Sequence, residues 1–173
     1  MVQLDFLEKI FHRLGKDTEE RGEFAIMAPF VVNEGRLHLL FEVRAMDMRR
    51  QPGEVCFPGG KIEAKETPRT CCVRETCEEL GVEKDRVRLV GNLGFLYSLL
   101  NEKINVFVGE ILNFDRSGLQ TNPKEVHEIF LVPLDFFLEA GSKEAFHYDG
   151  HYIWGLTARA VNQIIKKIGE GLS

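Results

Sequence analysis

Gly60-Lys61-Ile62-Glu63-Ala64-Lys65-Glu66 and, beyond a short spacer, Arg74-Glu75-Thr76-Cys77-Glu78-Glu79-Leu80-Gly81-Val82 join a glycine turn to an acidic helix around which the rest of the chain can be laid out. Thr67-Pro68 in the spacer supplies a helix N-cap followed by proline at the first helical position, where its missing N–H does no harm. The helix should run to about Leu80, with Gly81 able to end it. Glu75, Glu78 and Glu79 then crowd one edge of this helix, while Cys72, Val73, Thr76 and Leu80 give it an apolar face. A solvated acidic face is the plain alternative for any helix with three glutamates so close together. Here the apolar face anchors the helix on a core and holds the repelling carboxylates in place. A hard, oxygen-seeking cation such as Mg2+ or Mn2+ would relieve that repulsion. Arg74 lies four residues before Glu78, within reach to orient its carboxylate, although an ordinary surface ion pair would look the same. Just upstream, Phe57-Pro58-Gly59-Gly60 reads as a strand-ending turn whose glycines allow a ligand or metal close to main-chain oxygens.

Outward from the helix, residues 24–32 and 37–43 are β-rich and flank Asn33-Glu34-Gly35, which reads as a hairpin with a short loop. Leu37, Leu39, Phe41 and Val43 share one face of its second strand. Further strands are expected at 87–97, 104–111 and 126–132. Leu4, Leu7, Ile10, Phe11 and Leu14 recur at helical spacing and predict an amphipathic helix over about 3–14, stopped by Gly15. Val161, Ile164, Ile165 and Ile168 predict a last helix over about 157–168, closed by Gly169. This order of elements implies an α/β (or α+β) layered domain around a mixed sheet, with residues 1–173 as one domain.

A hydrophobic fraction of 44% with 13 phenylalanines argues for a packed core, and 28% charged residues for an ordinary solvated surface. The net charge of −5 offers no general attraction to nucleic acid or to an anionic membrane, so any phosphate must be met by local cations. No apolar run suggests a membrane span, and residues 1–15 carry scattered charges where a signal peptide would be uninterrupted. The expected compartment is the cytoplasm. Cys56, Cys71, Cys72 and Cys77 match neither a disulfide framework nor a zinc knuckle and read as reduced thiols.

Gly60, Glu66, Arg74-Glu75, Glu78-Glu79, Gly81 and Val82 stand at the spacings of the Nudix box, and the chain resembles the Nudix hydrolases. Thr76 departs from the usual Ile, Leu or Val, but its methyl can pack and its hydroxyl can bond a carbonyl one turn back. The resemblance implies an α/β/α sandwich with a central mixed sheet and metal-dependent hydrolysis of a nucleoside diphosphate linked to another group. It implies Glu75 and Glu79 as leading metal ligands and Glu78 as a further ligand or base. It also implies the Gly60 carbonyl at the metal, with Glu66 and Arg74 steadying loop and helix.

Leu40-Phe41-Glu42-Val43-Arg44-Ala45, Arg49, Gly53 and Phe57-Pro58-Gly59-Gly60 are similar to the approach to this box in coenzyme A diphosphatases, except that Phe41-Glu42 stands where a Leu-Thr pair is usual. Residues 125–134 and 152–157 also resemble that subfamily. This implies cleavage of coenzyme A or its derivatives to 3′,5′-ADP and 4′-phosphopantetheine. Arg44, Arg49, Arg50 and Lys61 are candidate phosphate-binding cations, against a plain role in solubility. Glu125 or Glu128 is a candidate extra metal ligand or base, or surface charge. Trp154 and Tyr97 read as core side chains, with adenine stacking as the alternative. His147 and His151 flank an Asp149-Gly150 turn and take no site role. Hydrolysis of ADP-ribose, dinucleotides or nucleoside triphosphates, and a non-catalytic nucleotide-binding domain, are the competing readings. The expected partner is thus a small nucleoside diphosphate derivative, not nucleic acid or membrane, with a homodimer left open.

Overall fold

A computed structural model describes residues 2–11, 14 and 20–173. The elements in chain order are α1 (Val2–Phe11), β1 (Phe24–Asn33), β2 (Arg36–Arg44), β3 (Val55–Cys56), β4 (Gly59–Lys61), α2 (Pro68–Leu80), β5 (Val87–Tyr97), β6 (Lys103–Ile111), β7 (Val126–Pro133), α3 (Leu134–Ala140), β8 (Phe146–Tyr148), β9 (His151–Ile153) and α4 (Gly155–Leu172). The hairpin of β1 and β2 turns on Glu34 and Gly35, both at positive φ, which matches the twist of the flanking strands.

Seven strands form one mixed sheet. β1 runs parallel to β6, and β6 antiparallel to β5. Leu39 of β2 pairs with Phe30 on one edge and with Val132 on the other, so β7 lies outside β2. Beyond Leu39 the hairpin strands part. The short strands fill the wedge: β3 pairs with Glu42 and Val43, while β4 pairs with Phe24 to Ile26 at the other end of β1. A Cβ on Gly59 would collide with the backbone of Ala25 and Ile26, so only glycine lets the loop seat this deeply.

Strand alternation distributes two cores. Ala28, Phe30, Leu39, Phe41, Val106 and Val108 face α1, α3 and α4, packing with Leu7, Phe137, Val161 and Ile164. On the other face Leu40, Val31 and Ile129 meet Leu80, and Met27 and Phe107 meet Cys71 and Cys72, so α2 covers that side. The result is the expected α/β/α layering.

The terminal helices differ from the expectation in extent. Leu14 lies outside α1 and packs against the cluster that includes Met27 and Cys71 on the α2 side, whereas Leu7 and Phe11 belong to the cluster on the α4 side. Gly15, its expected stop, lies outside the described residues. Gly169 does not close α4, which runs on to Leu172, and Ile10 of α1 packs closely against it where Gly171 has no side chain. The helix α3 and the hairpin of β8 and β9 extend the expected list, the latter turning on Asp149 and Gly150 at positive φ. Among the described residues no helix is long and apolar enough to cross a membrane.

Candidate metal and diphosphate site

The local chemistry of α2 fixes where its carboxylates stand. Thr67 caps the helix, accepting from Thr70 N while Thr70 Oγ1 accepts from Thr67 N, and Pro68 follows at the first helical position. Gly81 ends it in the left-handed region, its N–H bonded to the Cys77 carbonyl. The departure at Thr76 is absorbed as its chemistry allows: the residue is buried and its hydroxyl donates to Cys72 O at 2.7 Å.

Glu75 and Glu79 point toward the wedge. Gly59 N donates to Glu79 Oε2 at 3.0 Å, and a Cβ on Gly60 would lie 2.5 Å from Glu75 Oε1. Both carboxylates are thus pressed against the Gly59-Gly60 backbone. They are joined from the loop before β7 by Glu125, and ligand oxygens of Glu75, Glu79 and Glu125 lie within 4.8 Å of one another. Among the described residues no donor reaches Glu125 Oε2, although it is buried. Burial pushes the carboxyl of Glu79 well above its ordinary range, with Glu42 and then Glu75 adding like-charge repulsion. Burial also raises Glu75, against the pull of Arg74.

Glu78 is not part of this trio. At about 100° per residue, Glu79 turns to one side of Glu75 and Glu78 to the other. The three expected on one edge therefore divide: Glu78 is 54% exposed and accepts from Arg74 Nη1 at 3.2 Å. The main partner of Arg74 is instead Glu66, gripped through Nε at 2.7 Å and Nη2 at 2.8 Å, with Nη1 also on Glu75 at 3.0 Å. Hydrogen bonds from Arg74 hold the Glu66 carboxyl down at about 2. Arg74 thereby ties the loop to the helix and to Glu75.

Of the two candidates near β7, only Glu125 joins the trio. Glu128 accepts from His151 Nε2 at 2.7 Å, and that ring stacks on Phe130 with centroids 3.7 Å apart. Among the candidate cations, Arg44 Nε donates to Arg50 O at 3.2 Å, and Arg50 itself binds Glu102 at 2.5 Å and covers the ring of Phe24. Arg49 and Lys61 are exposed. Trp154 and Tyr97, read as core side chains, are exposed instead, at 39% and 48%. Trp154 precedes α4, where its ring stacks on Tyr152 at 6.4 Å. The four cysteines are free thiols, with Cys71 and Cys72 buried.

One further carboxylate escaped the sequence reading. Glu42 is 2% exposed, on the α2 face of β2, with its carboxyl against that of Glu79. The signal was available: if Leu37, Leu39, Phe41 and Val43 share one face, Glu42 must share the other with Leu40, which packs on Leu80.

Residues 24–149 match the model of the NUDIX domain. The chain belongs to the Nudix family. It is 38% identical to the mouse peroxisomal coenzyme A diphosphatase NUDT7 over 117 residues, which are 67% of this chain and 49% of that protein. It is 35% identical to the peroxisomal coenzyme A diphosphatase ndx-8 of Caenorhabditis elegans over 121 residues, 68% of this chain and 51% of that one. The chain thus spans about half the length of these relatives. The crystal structure of RenU, a Nudix hydrolase from M. smegmatis, superposes with a TM-score of 0.63 over 90% of each chain at 15% identity, a likeness of fold.

Proposed function

We propose that this protein is a metal-dependent hydrolase that cleaves the diphosphate of coenzyme A or its derivatives to 3′,5′-ADP and 4′-phosphopantetheine. The observation that carries the metal chemistry is the convergence of Glu75, Glu79 and Glu125, with Arg74 bonded to Glu75 from the side. The donor set is all oxygen and includes a buried oxygen without a donor, which fits Mg2+ or Mn2+. When bound, such ions neutralise diphosphate charge and acidify water for attack on phosphorus. Glu75, Glu79 and Glu125 are assigned to hold them, and the Gly60 carbonyl, which accepts from Cys71 Sγ at 3.6 Å, is assigned as a further ligand. Arg74 and Glu66 keep Glu75 oriented, and Glu78 stands at the solvent rim as a further ligand or base. The substrate rests on the two coenzyme A diphosphatases similar to this chain and on the cations before the box. Arg44, Arg49 and Lys61 are assigned to substrate phosphates, and Arg50 to bracing Arg44 through its carbonyl.

A panel of coenzyme A, acetyl-coenzyme A, dephospho-coenzyme A, ADP-ribose, NADH and nucleoside triphosphates with Mg2+ or Mn2+ tests this reading. Coenzyme A should be cut with the highest kcat/KM. Preference for ADP-ribose would replace the substrate assignment, and equal cleavage of dephospho-coenzyme A would remove the 3′-phosphate as a recognition element. The cytoplasm is the compartment we propose, and a peroxisomal location by fractionation would overturn that.

A further inference from the structure

Glu42 is placed with unusual care for a surface-loving residue. It sits mid-strand in β2, paired with Cys56 of β3 and Ile129 of β7 on its two sides. On the opposite face its neighbour Phe41 is locked between Phe57 and Phe130, with ring centroids 4.8 and 5.2 Å away. The strand cannot rotate to release Glu42, because the same rotation would bring Phe41 out of the core. A carboxylate this deeply buried needs a cation or several donors. Among the described residues its donor is one thiol, Cys56 Sγ, reaching Oε2 at the long distance of 3.9 Å, and the charge of Arg44 acts on it more weakly than burial does. No donor among the described residues reaches Oε1. The group it does meet is another carboxyl, that of Glu79.

Two acids pressed together on opposing, rigid elements are what a divalent cation would join. Glu42 stands outside the trio of Glu75, Glu79 and Glu125, so the ion it would take is not the one at their centre. We propose that Glu42 is a metal ligand of this protein, holding a second hard divalent cation together with Glu79, whose carboxylate bridges the two positions. The proposal deepens the metal-dependent hydrolase reading and rests on it. Such an ion would add positive charge on the β2 side of the site. There it would lie on the same strand face as Arg44, one of the residues assigned to substrate phosphates.

The test is Mn2+ binding without nucleotide. Metal-free wild type, Glu42→Gln and Glu79→Gln are titrated with Mn2+, the free ion is followed by its paramagnetic resonance, and melting temperatures are taken with and without saturating Mn2+. Glu42→Gln should bind one ion fewer than wild type, or hold one ion weaker by about tenfold or more, with a smaller Mn2+-induced rise in Tm. Unchanged stoichiometry, affinity and Tm rise in Glu42→Gln, beside normal binding by wild type, would overturn the role of Glu42 and leave the hydrolase reading standing. A wild type that binds no Mn2+ would overturn both. Anomalous diffraction from wild-type crystals soaked in Mn2+ gives a readout independent of any variant's folding. A peak within about 2.5 Å of a Glu42 oxygen supports the proposal, and occupied positions on Glu75 and Glu125 with none on Glu42 refute it.

Discussion

Glu79 accepts from Gly59 N, faces Glu42 and completes the trio with Glu75 and Glu125. Replacing it by glutamine keeps the shape and the Gly59 bond but removes the charge on which the proposed metals depend. Glu79→Gln should lower kcat by about a hundredfold or more with an unchanged circular dichroism spectrum. Near-normal turnover would show that these carboxylates are not the catalytic centre. Gly60 tests geometry instead of charge. A methyl at Gly60 would lie 2.5 Å from Glu75 Oε1 and must displace it, so Gly60→Ala should cost about a hundredfold in turnover with only a small drop in Tm. The identities of the trio were legible in unequal measure. Helical spacing grouped Glu75 and Glu79 with Glu78, and the resemblance to the Nudix box singled out the first two, whereas choosing Glu125 over Glu128 required the loop before β7 and the hydrogen bond of Glu128 with His151.

The strand β2 and helix α2 have to be held at fixed separation for any of this to work. Phe41, fully buried and stacked on Phe57 and Phe130, secures β2 and the β3 loop together from the side opposite the site. Phe41→Ala should destabilise the protein by about 3–5 kcal/mol in urea unfolding, and it should weaken Mn2+ binding although Phe41 touches no ligand. A variant as stable as wild type would mean that this aromatic stack does not hold the wedge. The long elements were readable because each carries its own period and punctuation: Thr67-Pro68 and Gly81 bracket α2, and Glu34-Gly35 turns the first hairpin. The short strands β3 and β4 were not, since their pairing depends on the parting of β1 from β2, which is a property of the assembled sheet. Glu42 fell between these cases. Alternation placed it on the correct face, but only the position of α2 above that face shows what it meets.

Across the whole molecule two sets of carboxyls titrate in opposite directions. Glu66, held at about 2 by Arg74, contributes stability that is present above about pH 4.5 and is lost as pH falls toward 2. Glu42, Glu75 and Glu79 are raised by burial, so in the metal-free protein their effect is to favour the fold at low pH and to weaken it as pH rises past about 5. Melting in EDTA should therefore show declining stability from about pH 5 upward, saturating Mg2+ should flatten that decline, and Glu66→Gln should remove part of the loss on the acid side. A metal-free profile that rises through neutral pH would contradict the buried-carboxylate account. The net charge of −5 leaves the whole surface unfavourable to a phosphate ligand, which places the weight of recognition on the metal site and its few cations. The most direct test of that centre is phosphorus NMR of coenzyme A incubated with wild-type protein, with and without Mg2+ or Mn2+. The metal-containing sample should convert the diphosphate resonances to two new phosphomonoester resonances, one on 3′,5′-ADP and one on 4′-phosphopantetheine, and the EDTA sample should not. Intact coenzyme A in the presence of either metal, or cleavage that persists in EDTA, would contradict the account.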